Sequence, residues 1–106
     1  MTSINANVEI DKNTAREMVK KGSKLIWVLE PMDEMRHAIL QEISETVYSI
    51  YFDEINRASD PKKLVGDEPI LVCEHGITSL FVANRLRNQG IQAYSLDGGI
   101  EELRKW

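Results

Sequence analysis

Short apolar runs alternate with helical patterns along this chain, and this alternation limits the possible folds more than any other feature. Leu25–Leu29 and Ile70–Val72 are continuous apolar segments, which is typical of strands covered on both faces. Val8–Ile10, Val47–Tyr51 and Ile91–Leu96 predict further strands. Because helical patterns separate the strands, the sequence predicts an α/β fold: a small parallel sheet of about five strands with helices on both faces.

The segments between the strands carry start and stop signals of helices. Asp11 or Asn13 can cap a first helix that ends at about Lys21, where Gly22 suits a left-handed stop. Proline at a first helical position, small and apolar stripes and glycine stops mark the others. These helices are predicted from Met32 to about Glu42, from Pro61 through Val65, from about Thr78 to Gln89, and after Gly99.

Length and charge limit the class of protein. A chain of 106 residues suits one domain, so we expect a single domain over residues 1–106. The formal net charge of −4 gives no support to a general binder of nucleic acid or of anionic membranes, because both need a basic surface. The longest apolar runs are about five residues, whereas a membrane-spanning helix needs about 20. No basic-then-apolar leader opens the chain, and we therefore expect a cytoplasmic protein.

The chain has one cysteine, Cys73. A single cysteine excludes an internal disulfide and a metal site built from several cysteines. Neither His37 nor His75 stands at metal-ligand spacing from it, so we expect no metal and no cofactor. Cys73 directly follows the predicted strand Ile70–Val72, at the edge of a parallel sheet where ligands bind. It is therefore the first candidate for chemistry.

The loop after the cysteine predicts an anion-binding ring. A tight loop between a strand and a helix turns backbone N–H groups inward, and the first N–H groups of the helix are unpaired. Gly76 permits a left-handed turn, while Thr78 and Ser79 can cap the helix and donate hydroxyl hydrogens to a sulfur anion. We expect Cys73 to ionise more readily than an ordinary thiol. The alternative is a buried, unreactive cysteine at a strand end.

Residues 70–103 read ILVCEHGITSLFVANRLRNQGIQAYSLDGGIEEL, and this stretch resembles the carboxyl half of a rhodanese-like sulfurtransferase domain. The family has an apolar strand, Cys-x-x-Gly-x-Arg/Thr-Ser/Ala, a helix, a strand and Leu-x-Gly-Gly. The amino half is similar in length and element order, but Glu30 and Met32 replace the usual Asp-x-Arg, and the usual Gly-His-Ile is absent. The matching positions are Cys73, Gly76, Thr78, Ser79, Gly90, Leu96, Gly98, Gly99 and Ile100.

The resemblance implies persulfide chemistry at Cys73. Its thiolate would take sulfane sulfur from thiosulfate, a polysulfide or a persulfide and pass it to a thiol or a cyanide-type acceptor. The implied partners are a small sulfur donor and a thiol acceptor, which can belong to a thioredoxin-like or sulfur-carrier protein, with no nucleic acid and no membrane. The oligomeric state is left open. The residues implied in anion binding are Glu74, His75, Gly76, Ile77, Thr78 and Ser79.

Three residues depart from the thiosulfate-using members of that family or are ambiguous. Glu74 and His75 stand where those members have basic side chains, and a carboxylate there would repel a dianionic donor. His75 can tune the thiolate or donate a proton, or it is simply an exposed loop residue. Arg36 stands where some two-domain thiosulfate sulfurtransferases have an anion-binding arginine, or it is a solvated arginine paired with a nearby glutamate.

Other functions are weighed against the sulfurtransferase. A cysteine phosphatase needs Cys-x5-Arg, because the arginine grips the phosphate oxygens as a fork, and Ser79 stands at that arginine position. A non-catalytic rhodanese-like binding module and a redox-sensing thiol both remain open. The amino half favours the module, whereas the intact cysteine loop favours the enzyme. Aromatic residues Tyr48, Tyr51 and Phe52 either line the mouth of a pocket or pack within a strand.

Overall fold

A five-stranded parallel sheet forms the centre of the protein. The structure is a computed structural model and describes residues 8–29 and 47–105. The strands lie side by side in the order β1-β5-β4-β2-β3, and every neighbouring pair is parallel, which confirms the predicted α/β class and sheet. The strands are Glu9–Ile10 (β1), Leu25–Leu29 (β2), Val47–Tyr51 (β3), Ile70–Val72 (β4) and Tyr94–Leu96 (β5).

Helices cover both faces of this sheet, as predicted. The helices in the described part of the chain are Lys12–Lys20 (α1), Phe52–Arg57 (α2), Pro61–Val65 (α3), Ile77–Asn88 (α4) and Ile100–Arg104 (α5). Buried residues of α1 and α5 pack on one face, and buried residues of α2, α3 and α4 pack on the other. The helix predicted from Met32 to Glu42 lies outside the described residues. Within 8–29 and 47–105, no helix combines the length and apolarity that crossing a bilayer requires.

Strand β2 shows why a continuous apolar run forms a strand here. All of its residues are buried: Leu25, Trp27 and Leu29 belong to the cluster under α1 and α5, while Ile26 and Val28 belong to the cluster under α4. Successive side chains of a strand point to opposite faces, so a strand with helices on both sides needs apolar residues at every position. Burial of each such side chain contributes about 1.5–3 kcal/mol.

Some element boundaries differ from the prediction. The side chain of Asp11, rather than that of Asn13, caps α1, because Asp11 Oδ1 accepts a hydrogen bond from the Thr14 amide at 2.8 Å. Strand β5 is shorter than the predicted Ile91–Leu96, because the Ile91 amide donates a hydrogen bond to the Leu86 carbonyl at the end of α4. Helix α2 was not predicted: it follows β3 directly, and no side chain caps its start.

Candidate active site

Cys73 follows β4 near the middle of the sheet and opens the loop that leads into α4. Gly76 is the N-cap of α4 with φ 84°, and no side chain caps the helix. The left-handed conformation explains a glycine at this position. The helix begins at Ile77, in agreement with the predicted start at about Thr78, whereas the predicted capping by Thr78 and Ser79 is wrong. Both residues lie inside the first turn.

The Cys73 sulfur is surrounded by hydrogen-bond donors of its own loop. The amide of Gly76 donates to Sγ at 3.1 Å, and the amide of Ser79 donates to it at 3.2 Å. Ser79 Oγ lies 3.4 Å from Sγ. The residue is 5% exposed. Sγ therefore lies at the N-terminus of a helix among inward-turned N–H groups, an arrangement that stabilises negative charge on the sulfur.

The hydroxyl of Ser79 contacts the hydroxyl of a second serine, Ser95. Ser79 Oγ and Ser95 Oγ are 2.7 Å apart, and both residues are fully buried. Ser95 comes from β5 and was missed by the sequence analysis, because a lone serine inside a strand carries no motif. The period-two alternation of β5 was the one available signal: Tyr94 and Leu96 belong to the cluster under α1 and α5, which leaves Ser95 facing α4.

The Gly98–Gly99 turn packs against the backbone of the cysteine loop. Gly99 has φ 66°, and a Cβ atom at this position would overlap the carbonyl oxygens of Cys73 and Glu74. A Cβ atom on Gly76 would only reach ordinary contact with the Gly98 amide nitrogen, at 3.5 Å. The two glycine-containing motifs are distant in sequence and form one packed unit at the carboxyl edge of the sheet. A glycine is needed at Gly99 for its close approach to the loop as well as for its positive φ.

Glu74 and His75 form the outer side of the loop. His75 Nε2 lies 3.7 Å from Glu74 Oε1, and the His75 side chain is 77% exposed. The resemblance implied that backbone amides from Glu74 through Ser79 bind the anion, and the amide contacts to Sγ in this structure come from Gly76 and Ser79. Arg36 lies outside the described residues, and its role stays a prediction. Among the described residues, no group of His, Cys, Asp and Glu side chains is arranged to hold a metal ion.

A largely apolar groove adjoins the loop. It has a volume of about 540 Å³, within the range of small-molecule sites. Ile77 and Thr78 belong both to this groove and to the segment between the two amides that contact Sγ. Of the two alternatives left open for the aromatic residues, Tyr51 and Phe52 take the first and line the groove, whereas Tyr48 lies under Lys24 at the opposite end of β3. The lining residues are Leu29, Tyr51, Phe52, Asp53, Ile77, Thr78 and Phe81.

Comparison with known proteins agrees with this geometry. Over 98 residues the chain is 32% identical to the thiosulfate sulfurtransferase GlpE of Vibrio cholerae, an alignment that covers 89% of this chain and 85% of that relative. The chain belongs to the rhodanese-like sulfurtransferase family. This confirms the resemblance seen in residues 70–103. No family model matches this rhodanese-like chain.

Solved structures show the same rhodanese fold. The reduced CoADR-RHD protein of Bacillus anthracis superimposes with a TM-score of 0.69 at 21% identity, over 92% of this chain and 16% of that longer chain. A rhodanese-related protein of Thermoplasma volcanium superimposes with a TM-score of 0.67 at 19% identity, over 92% of this chain and 90% of that one. At such identities the likeness concerns the fold alone.

Proposed function

We propose that this protein is a sulfurtransferase that carries sulfane sulfur as a persulfide on Cys73. The observation that carries the proposal is the pair of backbone amides, from Gly76 and Ser79, that donate to Sγ at 3.1 and 3.2 Å. They stabilise the thiolate, which is the attacking form of a cysteine. Fixed donors of this kind also suit a negatively charged persulfide, so the loop has little to rearrange between the two half-reactions.

In the first half-reaction the Cys73 thiolate attacks the outer sulfur of the donor. A new S–S bond forms to Sγ, and the donor's own S–S bond breaks. The electron pair of the broken bond leaves with the rest of the donor, as a thiolate from an organic persulfide or as sulfite from thiosulfate. One difficult transfer is thereby divided into two easier ones.

In the second half-reaction an acceptor thiolate attacks the outer sulfur of the Cys73 persulfide. The S–S bond to Sγ breaks, its electron pair returns to Cys73 as a thiolate, and the acceptor becomes a persulfide. No electrons are gained or lost overall, and no second cysteine of this chain takes part. The acceptor thiol belongs to a small molecule or to a thioredoxin-like or sulfur-carrier protein, and cyanide can replace it as the nucleophile.

The surroundings of the loop favour an organic persulfide or a polysulfide over thiosulfate as the donor. The Glu74 carboxylate beside the loop repels a dianion such as thiosulfate. The groove beside Ile77 and Thr78 is lined mainly by apolar side chains, and these can bury the organic part of a donor. The persulfide cycle needs a reduced thiol, so the proposal assigns the protein to a reducing compartment such as the cytoplasm.

Intact mass measurement tests the proposal. The purified protein is incubated with a polysulfide and then with dithiothreitol, beside the Cys73→Ser variant. The expected result is an adduct of about 32 Da that dithiothreitol removes and that the variant never forms, since one sulfur atom is added at a single thiol. An unmodified Cys73 would favour a non-catalytic binding module. An oxygen adduct or a mixed disulfide in place of the sulfur adduct would favour a redox-sensing thiol.

A further inference from the structure

Two buried hydroxyl groups connect the Cys73 sulfur to strand β5. Ser79 Oγ lies 3.4 Å from Sγ and 2.7 Å from Ser95 Oγ, and both serines are 0% exposed. Around them, the layer between the sheet and α4 is built from apolar side chains such as Leu71 and Val82. A buried hydroxyl without a partner costs free energy, so each serine compensates for the burial of the other.

We infer that Ser95 is a positioning residue that orients the Ser79 hydroxyl toward Cys73 whenever the sulfur is negatively charged. The inference rests on the proposed role of Cys73 as the nucleophile. Ser95 contacts Ser79 rather than the sulfur, and it therefore acts through Ser79.

The number of hydrogens in the chain of hydroxyls explains the effect. A serine hydroxyl has one hydrogen to donate and two acceptor sites. When Cys73 is a thiolate, Ser79 donates its hydrogen to Sγ, and the Ser79 oxygen accepts the hydrogen of Ser95. When Cys73 is a neutral thiol, the S–H group can donate to the Ser79 oxygen, and Ser79 donates to Ser95. The pair thus reverses its direction with the charge of the sulfur and stays hydrogen-bonded in both states.

Removal of the Ser95 hydroxyl destabilises the Cys73 thiolate more than the neutral Cys73 thiol. Hydrogen bonds in a chain polarise one another, and a bond to a charged acceptor is stronger than one between neutral groups. Without the Ser95 hydroxyl, the Ser79 oxygen loses its donor at the moment when Ser79 itself donates to the sulfur. We therefore expect Ser95→Ala to make Cys73 a less reactive nucleophile at neutral pH.

The test is the rate of alkylation of Cys73 by iodoacetamide, measured across pH without any sulfur donor. Ser95→Ala is expected to raise the pH midpoint of the profile by about half a unit, which lowers the rate below the midpoint about threefold, the effect of one modest hydrogen bond. Ser79→Ala should raise the pH midpoint by about one unit. In the Ser79→Ala background, Ser95→Ala should add nothing, because the residue through which it acts is gone.

Controls separate this effect from a change in the fold. Titratable groups beside the loop and the β5 turn stay the same in every variant; among the described residues these include Glu74, His75, Asp97, Tyr51 and Asp53 of the groove, and Glu102 beside Gly98. Ser49→Ala changes a serine of the same sheet, on β3, and should leave the profile unchanged. Thermal unfolding monitors each variant. Ser95→Thr retains the hydroxyl and should retain the wild-type midpoint, whether or not Ser95→Ala folds.

The inference is overturned if the Ser95→Ala profile matches that of the wild type. It is also overturned if Ser95→Ala shifts the midpoint equally in the wild-type and the Ser79→Ala backgrounds. A folded Ser95→Thr variant with a midpoint as high as that of Ser79→Ala would overturn it as well. Because alkylation requires no sulfur transfer, a failure of this inference can be distinguished from a failure of the proposed function. A protein that shows the coupled shifts but never gains sulfur would contradict the sulfurtransferase and leave the role of Ser95 in place.

Discussion

Ile100 donates its backbone N–H to the carbonyl oxygen of Cys73 at 3.1 Å and so joins the start of α5 to the end of β4. Gly99, the preceding residue, lies against the same carbonyl and against that of Glu74. The turn after β5 thus contacts the backbone of Cys73, while amides of the cysteine's own loop contact its side chain. The shape of the loop depends on a residue that never contacts the sulfur.

Gly99→Ala should destabilise the protein and reduce sulfur transfer. The added Cβ atom would overlap the carbonyl oxygens of Cys73 and Glu74, and the positive φ adds strain to it. The matched control is Gly22→Ala: Gly22 also has a positive φ, of 107°, but a Cβ atom there meets nothing within 4 Å. We expect the control to cost only the backbone strain, about 1–2 kcal/mol, and to keep its activity. Thermal unfolding and a sulfur-transfer assay measure both effects. Equal losses in the two variants would show that the loop does not depend on this contact.

Glu74→Lys should raise kcat/KM for thiosulfate by about tenfold at low salt, and by less at high salt, because the change replaces repulsion of a dianion by attraction and is screened by ions. The control is Asp67→Lys, which makes the same charge change at a residue that precedes β4 and pairs with Lys62 at 3.2 Å. Steady-state kinetics at two ionic strengths measure the effect. An unchanged or lower value for Glu74→Lys would contradict the electrostatic argument against thiosulfate.

Phe81→Asp should raise KM for a donor with an aromatic group, such as benzenethiosulfonate, by about five- to tenfold, because the groove loses apolar surface that the ring can cover. The KM for a short inorganic polysulfide should change much less. Asn84→Asp introduces the same charge at an exposed position of the same helix and serves as the control. If both variants behave alike with both donors, then the groove does not bind the organic part of the donor.

Asp11 makes the stability of α1 depend on pH. The hydrogen bond from the Thr14 amide holds the pKa of the Asp11 carboxyl below its usual value. A carboxyl whose pKa is lowered on folding stabilises the folded state above its unfolded pKa, and that contribution is lost as the pH falls through the folded pKa. Asp11→Ala should therefore lower the melting temperature at pH 7, with a difference from wild type that shrinks below about pH 4.

The control for this prediction is Asp11→Asn, which keeps an oxygen that can accept from the Thr14 amide but carries no charge. Its melting temperature relative to wild type isolates the effect of ionisation. A difference between wild type and Asp11→Ala that stays constant from pH 7 to pH 3 would exclude the charged cap as its source.

Several features of the fold follow from local sequence. Strands β2, β3 and β4 begin and end at the predicted residues. β2 and β4 are continuous apolar runs, and β3 is rich in β-branched and aromatic residues, which favour strands. The position of Cys73 at the carboxyl ends of the strands also follows from local sequence, because a residue directly after a parallel strand must lie there. These features depend only on residues close together in the chain, so a single sequence is enough to predict them.

The features that were missed depend on residues distant in sequence. The Ser79–Ser95 hydrogen bond joins α4 to β5, and nothing in the sequence near either serine indicates the other. The apolar groove takes residues from β2, β3, α2 and α4, so it exists only after these elements pack together. The cap of α4 was predicted wrongly, because Gly76 with its positive φ stands at the N-cap, where the prediction relied on a hydroxyl side chain.

The depth of Cys73 also affects how the protein responds to oxidants. A disulfide between two copies would require the Cα atoms of the two cysteines to approach within about 7 Å. Cys73 is only 5% exposed, and we expect its burial to keep the Cα atoms of two copies farther apart than that. Oxidative stress should therefore leave this protein free of covalent cross-links between copies, even though every copy carries a free thiol.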